Sequence, residues 1–415
     1  MAHELTLSAA ARARTRRPPV ALALGAGTAA ALAVGLAAAT HAPETRISPI
    51  RPDSQLWRTL LVAGLLAAFV LYLLGLLAAR RHALAVGAVA AVAVAIQLAP
   101  LATPMLLSRD VYLYWDYGRT AVVHHGNPFS DFPNRWPNDP AYKQMASAWG
   151  RLRSPYGPGW VLVGEASAKV AGTSVKTAEL FFRVLAAASM LGIVGVVAWS
   201  TRSAFSTALV GWNPLLALHF AGGGHSDAAM MGLVAVALAL ASRHPRWSGA
   251  AWVGAVAIKV AALAFLGVEL VYRLRQRARA WLVGLAVAAV VAIAASLAIF
   301  GPSFLRSGGP ISNQLREANS VGLPTKLSHL GLGLHTAEVL CVLAFALLYL
   351  WILREAWHGR RRLSLAAAGM CLAVAWLMPW YASWPIVLAA FDLDLAGILL
   401  GLGLSGYLLL DVLPI

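Results

Sequence analysis

The residues best equipped for chemistry lie in SRDVYLYWDYGRTAVVHHGNPFSDFP, residues 108–133, which follows directly on a long apolar run. Arg109, Asp110, Asp116, Arg119, His124, His125 and Asp131 crowd into it, in a chain of which only 12% is charged. A carboxylate at the mouth of an apolar wall is a candidate general base, because the wall raises its pKa unless Arg109 or a bound cation compensates. If 108–121 is helical, Asp110, Tyr114 and Tyr117 share one face (i, i+4, i+7), and Tyr112, Asp116 and Arg119 share another. The two carboxylates are then not a close pair. The plainer reading is an interfacial belt of aromatic rings with snorkelling charges.

Three further stretches carry reactive groups. In GWNPLLALHFAGGGHSDAAMMG (211–232), Asn213-Pro214 and Gly222–Gly224 interrupt an apolar run, and His225 and Asp227 stand in the interruption. They can form a polar pocket, with Ser226 or Asp227 capping the next helix, or bind substrate; the two are compatible. His219, His225 and Asp227 lack the spacing of metal ligands on one element, so no metal is expected. Lys259, in AVAIKVAALAF, falls in mid-membrane, where a lysine costs on the order of 2.5–3.5 kcal/mol and is functional by default. It suits an anionic partner such as a phosphate, the alternative being snorkelling from a helix end. Arg183 and Glu165 are similar but nearer to span ends. MPWYASWP (378–385) offers Trp380, Tyr381 and Trp384, either as an aromatic belt or as platforms for the apolar faces of sugars.

HHGNPF (124–129), with Asn127, reads as a turn that stops a helix, and SPYGPGW (154–160), with Tyr156, as a second turn before the chain re-enters the membrane. No G-x-x-x-x-G-K-[ST] loop is present to bind a nucleotide. DLD (392–394) imitates a metal-binding D-x-D but lies between apolar segments, with no soluble nucleotide domain beside it.

The elements that must position these groups are membrane helices. The chain has 415 residues, 60% of them hydrophobic, and its mean hydropathy is +0.70. Its apolar runs are continuous and rich in Ala, Leu and Val, without the alternation of barrel strands. The expected fold is an all-α polytopic bundle of about 10–13 membrane segments, counting short re-entrant ones. Spans fall near 20–40 (a first helix rather than a signal peptide), 59–79, 83–101, 178–199, 204–220, 226–242, 279–300, 335–353, 363–378 and 395–413. Shorter segments lie near 158–172, 249–272 and 384–392. The net charge of +16 does not point to nucleic acid, because the bases cluster between apolar runs, at 12–19, 80–81, 273–279 and 354–362. That is the positive-inside pattern. Bases flank 249–272 on both sides, which two half-helices meeting near Lys259 would satisfy. The loops 102–157, 221–227, 301–334 and 379–383 then open together on the outer face. Cys341 and Cys371 sit in apolar segments, so no disulfide framework is indicated. Residues 1–415 read as one membrane domain without internal repeats.

A carboxylate at an outer mouth, buried cations and aromatic platforms meet the needs of sugar transfer from a lipid-phosphate donor. The leaving group is already a phosphate, cations offset its growing charge, and one carboxylate takes the acceptor's proton. The motifs themselves resemble a known family. SRDVYLYWDYG…HHGNPF, PYGP at 155–158, NPLLALHFAGGGHSDAAM, GAVAIKVAAL and PWYASW follow one another in order over roughly 100–385. Together they resemble integral-membrane glycosyltransferases of the GT-C class, and within it the actinobacterial polyprenyl-phosphate-mannose-dependent α-(1→6)-mannosyltransferases, related to glycosyltransferase family 87. Ser226 stands where that family has Asn.

The resemblance implies an inverting transfer of a hexose, mannose above all, from a polyprenyl-phosphate donor to a lipid-linked glycan or lipoglycan. It places this at the outer face of the cytoplasmic membrane, with no other cofactor, and Asp110 as the base. Lys259, Arg109 and His225 are then candidates for the donor phosphate. Tyr112, Tyr114, Asp116, Asn127, Tyr156, Asp227, Trp380, Tyr381 and Trp384 are candidates for sugar and acceptor. A secondary transporter or flippase of a lipid-linked anion is the alternative that Lys259 and broken helices also allow.

Overall fold

The computed structural model describes residues 18–307 and 318–414, so part of the 301–334 loop lies outside the described residues. Among the described residues the chain forms eighteen α-helices and no strand. In a medium without water each backbone N–H and C=O must be satisfied within its own segment, and the Ala/Leu/Val runs do this as helices. In order these are α1 (Pro18–Ala39), α2 (Gln55–Arg81), α3 (Val86–Leu98), α4 (Asp110–Val122), α5 (Pro140–Gln144) and α6 (Pro158–Ala171). There follow α7 (Val175–Thr201), α8 (Ala204–Gly211), α9 (Pro214–Ala217), α10 (Asp227–Leu240), α11 (Pro245–Ile258) and α12 (Ala262–Arg275). The chain ends with α13 (Arg279–Phe300), α14 (Leu323–Leu327), α15 (Leu334–Trp357), α16 (Leu363–Ala373), α17 (Ser383–Asp392) and α18 (Leu395–Leu410). Five helices are long and apolar enough to cross a bilayer, within α1, α2, α7, α13 and α15. The pair Pro214–Gly222 and Asp227–Leu240 makes a sixth if counted as one span, bent by 117° at its break. This is a multi-pass membrane protein.

The breaks fall where sequence chemistry puts them. Asn213 Oδ1 accepts from the N–H groups of Leu215 and Leu216 and restarts the helix after α8. A π-turn, Leu218–Gly222, then leads into the glycines before α10. Lys259 is extended, at φ −150° and ψ 126°, between α11 and α12, so two half-helices do meet there. The basic ends of that pair gather on one side. Glu269 bonds Arg273 at 2.7 Å and Arg361 at 3.3 Å, and Arg362 pairs with Asp394 at 2.6 Å. Asp392 accepts from Ser364 N at 2.8 Å, so DLD caps helices on this basic side.

Loops on the other side close over one another. Leu106 N donates to Gly222 O, Gly157 N to Ile258 O, and Asn127 Nδ2 to Phe300 O. Residues 102–157, 221–227 and the apex at Lys259 therefore share one end of the bundle. The segment 363–378 is shorter than a span: α16 ends at Ala373, and the carbonyls of Ala375 and Leu377 accept from Asn319 instead of continuing the helix. Helices α4 and α6 cross with backbones touching. A Cβ on Gly118 would lie 2.0 Å from Gly164 O, so only glycine permits this approach.

Candidate active site

Two turns deliver the central acid. Thr45 O accepts from Leu107 N, and Leu107 adopts a left-handed φ of 63°, which swings the chain into α4. Ser108 Oγ then accepts from Asp110 N at 3.0 Å. The expected helical faces hold. Tyr114 donates to Asp110 Oδ2 at 3.2 Å, one turn on. Its ring meets Tyr156, Trp160 and Phe182 edge-on at 5.0, 5.2 and 5.4 Å. His225 Nδ1 approaches the same Oδ2 at 3.4 Å, an ion-pair distance rather than a formed hydrogen bond. Burial raises the pKa of Asp110, but the His225 ring beside it and the charge of Lys259 beyond more than offset this, so the carboxyl sits below its ordinary value.

Lys259 is not solitary. Its Nζ donates to both oxygens of Asp227, at 3.0 and 2.8 Å, and Trp384 Nε1 donates to Oδ1 at 2.7 Å. Asp227 is wholly buried, and these donors replace the water it has lost. It does not cap α10 as the sequence suggested, because the lysine and indole claim its oxygens; Ser226 makes no capping bond either. The ammonium also lies 4.7 Å from the Tyr381 ring centroid and 5.6 Å from that of Trp384, which stack on each other at 4.2 Å. Trp380 stacks on His225 at 3.5 Å and 17°. Helix α4, the 222–227 break, the Lys259 apex and the 379–384 turn thus converge. They bring together Asp110, Tyr114, Tyr156, His225, Asp227, Lys259, Trp380, Tyr381 and Trp384.

Four candidates lie apart from this centre. Arg109 turns to Glu44, at 2.9 Å, beside Arg46, which holds the Glu44 carboxyl down near about 2. Tyr112 donates to Glu179 and accepts from Arg46 Nη1 at 3.1 Å. Asn127 bonds Phe129 N and Phe300 O in a turn. Asp116 faces Arg119 and Asp139, and burial first, then the Asp139 charge, pushes its carboxyl up to about 7.

Sequence reasoning noted Arg183 as a charge similar to Lys259 but nearer a span end, without a partner, and it fastens the site. Buried in α7, it donates from Nε to Ala221 O at 2.8 Å and from Nη2 to Pro100 O at 2.5 Å, tying both chain breaks together. Its signal was a charge in an apolar helix, which gives no partner. Glu44 and Arg46 had none, lying in an unremarkable loop.

Helices long and apolar enough to cross a bilayer, with a polar centre assembled at the breaks between segments, define an all-α polytopic membrane protein. Residues 19–277 match the family described as alpha-(1->6)-mannopyranosyltransferase, N-terminal domain, and the chain belongs to that family. It is 28% identical over 344 residues to alpha-(1->6)-mannopyranosyltransferase A of Mycobacterium tuberculosis, covering 71% of this chain and 63% of that one. The Corynebacterium glutamicum protein of the same name is 30% identical over 180 residues, 41% of this chain and 35% of its own. A probable alpha-(1->6)-mannopyranosyltransferase of Mycolicibacterium smegmatis is 27% identical over 351 residues, 69% of this chain and 62% of its own. The match thus spans less than two thirds of each relative's length. No solved structure matches the chain.

Proposed function

We propose that the chain transfers mannose, with inversion, from a polyprenyl-phosphate-mannose donor to a hydroxyl of a lipid-linked glycan or lipoglycan. Transfer takes place at the outer face of the cytoplasmic membrane, and Asp110 is the base. One observation carries the reading. Asp110 Oδ2 accepts from Tyr114 and has His225 Nδ1 at 3.4 Å, while no group among the described residues bonds Oδ1, so a buried carboxylate keeps one oxygen for an incoming hydroxyl. Asp227, the other acid of the centre, has both oxygens engaged by Lys259 and Trp384 and cannot serve. Lys259 spends two of its three donors on Asp227, which leaves one for the phosphate. As the acceptor oxygen bonds the anomeric carbon, its proton passes to Asp110 and the bond to phosphate breaks. The phosphate gains one negative charge beside the ammonium. Family membership and the names of the relatives support the sugar; the positive-inside asymmetry supports the face.

Membranes containing the chain, given labelled polyprenyl-phosphate mannose and a mannan acceptor, should yield labelled glycan. Movement of the lipid without transfer would make it a carrier. For the face, a single cysteine at the exposed Asn138 should react with an impermeant thiol reagent in intact cells, and one at the exposed Gln276 should not. Labelling at Gln276 would invert the threading. The 301–334 loop invites the same probe at Ser312, which lies outside the described residues.

A further inference from the structure

Two buried histidines lie at the base of the site, and neither takes up nor gives a proton in the reaction as drawn. His219 is 1% exposed and His225 fully buried, and none of their four ring nitrogens has a hydrogen-bond partner. Nitrogens stripped of water without replacement are rare in a folded protein and ask for an explanation. For His225 the surroundings supply one. The ring is clamped flat on Trp380 at 3.5 Å, which fixes its plane. Nδ1 lies 3.4 Å from Asp110 Oδ2. On the opposite edge, a Cβ on Gly223 would lie 2.9 Å from Nε2, so glycine is what lets the ring occupy this position. His219, its centroid 5.8 Å from that of His225, forms no ion pair with either acid among the described residues.

We propose that His225 is the positioning residue of Asp110, and that the two act as a unit in the transfer; this rests on the function proposed above. An ionised carboxylate only accepts, so the ring nitrogen facing it carries the proton: Nδ1–H points to Asp110, and Nε2 holds the lone pair. With Tyr114 O–H, this N–H holds Oδ2 from a second direction, and Oδ1 is turned toward the acceptor. The gap of 3.4 Å closes to a full hydrogen bond when substrate tightens the site, as apo catalytic contacts commonly do. His225 itself touches no reacting atom. In the transfer the acceptor proton goes to Oδ1, and the electron pair of the broken carbon–oxygen bond leaves with the phosphate. His225 keeps its proton throughout, so no further reactant is needed.

The test uses the purified full-length chain with labelled polyprenyl-phosphate mannose. His225→Phe keeps the ring on Trp380 and removes both nitrogens. It should lower kcat by about ten- to a hundred-fold, the loss expected for one hydrogen bond to a charged group, with donor KM within about twofold. His225→Asn, whose amide can donate from the place of Nδ1, should recover most of that loss. In an Asp110→Asn background, His225→Phe should cost less than about a further twofold, because two groups acting as a unit are lost only once. A raised donor KM at unchanged kcat would make His225 a phosphate ligand and overturn the inference. So would full additivity with Asp110→Asn, or an Asn variant no better than Phe. These outcomes leave the mannosyl-transfer reading standing, whereas absence of transfer by the wild-type chain would remove that reading and the inference with it.

Discussion

Helix α4 carries two buried aspartates on different faces, and they live in different worlds. Asp110, 8% exposed, faces His225 and Tyr114, with Lys259 beyond, in a centre assembled from α4 and three breaks in the fold. Asp116, 3% exposed, faces Asp139, whose carboxylate is already claimed by Arg119 at 2.8 Å and His124 at 2.7 Å, and by Ala141 N at 2.8 Å. Burial penalises charge on both. On Asp110 a ring and a nearby ammonium outweigh the penalty, and the carboxyl stays ionised. On Asp116 a like charge adds to it, and Oδ2 is left without a partner. Burial alone therefore does not mark a base; what faces the carboxylate does. The first face is the one proposed for proton transfer, and the second packs α4 against α5 and the 172 turn.

The comparison can be broken most severely through Asp139. Removing one member of a buried pair leaves the other charged and unpaired, so Asp139→Ala should cost about 3–5 kcal/mol of stability. It should be read as a lower unfolding midpoint, with any activity that survives showing an unchanged donor KM. A variant as stable as wild type would mean that the second face does not hold α4.

The next effect lies on the first face. Lys259→Met removes the charge and leaves Asp227 unpaired, so it is combined with Asp227→Asn; in this double variant, shown to remain folded, donor KM should rise roughly ten- to a hundred-fold, the range of a charge-assisted contact. Unchanged kinetics would reduce Lys259 to the counter-ion of Asp227.

The third effect is the titration of Asp116. Its folded pKa, about 7, lies above the ordinary 3.8, so its contribution to stability is full below the ordinary value and is lost as pH rises through the folded one. Thermal stability of the wild type should therefore decline between about pH 4 and pH 7, and Asp116→Asn should flatten that decline. An equal slope in both proteins would show that Asp116 does not titrate there.

Much of this was legible in the sequence, because its signals are local. Asn213-Pro214 breaks a helix through missing donors and ring sterics, and the basic flanks around 249–272 required a reversal near Lys259. The two faces of α4 follow from helical periodicity. What escaped was pairing over distance. Lys259 meets Asp227 across 32 positions, Arg109 meets Glu44 across 65, and Trp384 meets Asp227 across 157. No periodicity reports such contacts. Local propensity misled at Asp227, which looked like a cap because acids favour helix starts, until a buried lysine outbid the backbone. It misled again at 374–378, apolar enough for helix but unwound where Asn319 takes its carbonyls.

The central claim, that the Asp110 face reacts and the Asp116 face supports, rests most directly on one paired measurement. Mannosyl transfer from the labelled polyprenyl-phosphate donor is compared in Asp110→Asn and Asp116→Asn, each purified and shown to remain folded. Asp110→Asn keeps the shape and removes the proton acceptor, so transfer should fall by at least roughly 10²–10⁴, with donor KM nearly unchanged. Asp116→Asn should stay within about threefold of wild type, because Asp116 faces Arg119 and Asp139 rather than the centre around Asp110. If instead Asp116→Asn is inactive and Asp110→Asn still transfers mannose, the base lies on the other face of α4 and the account fails.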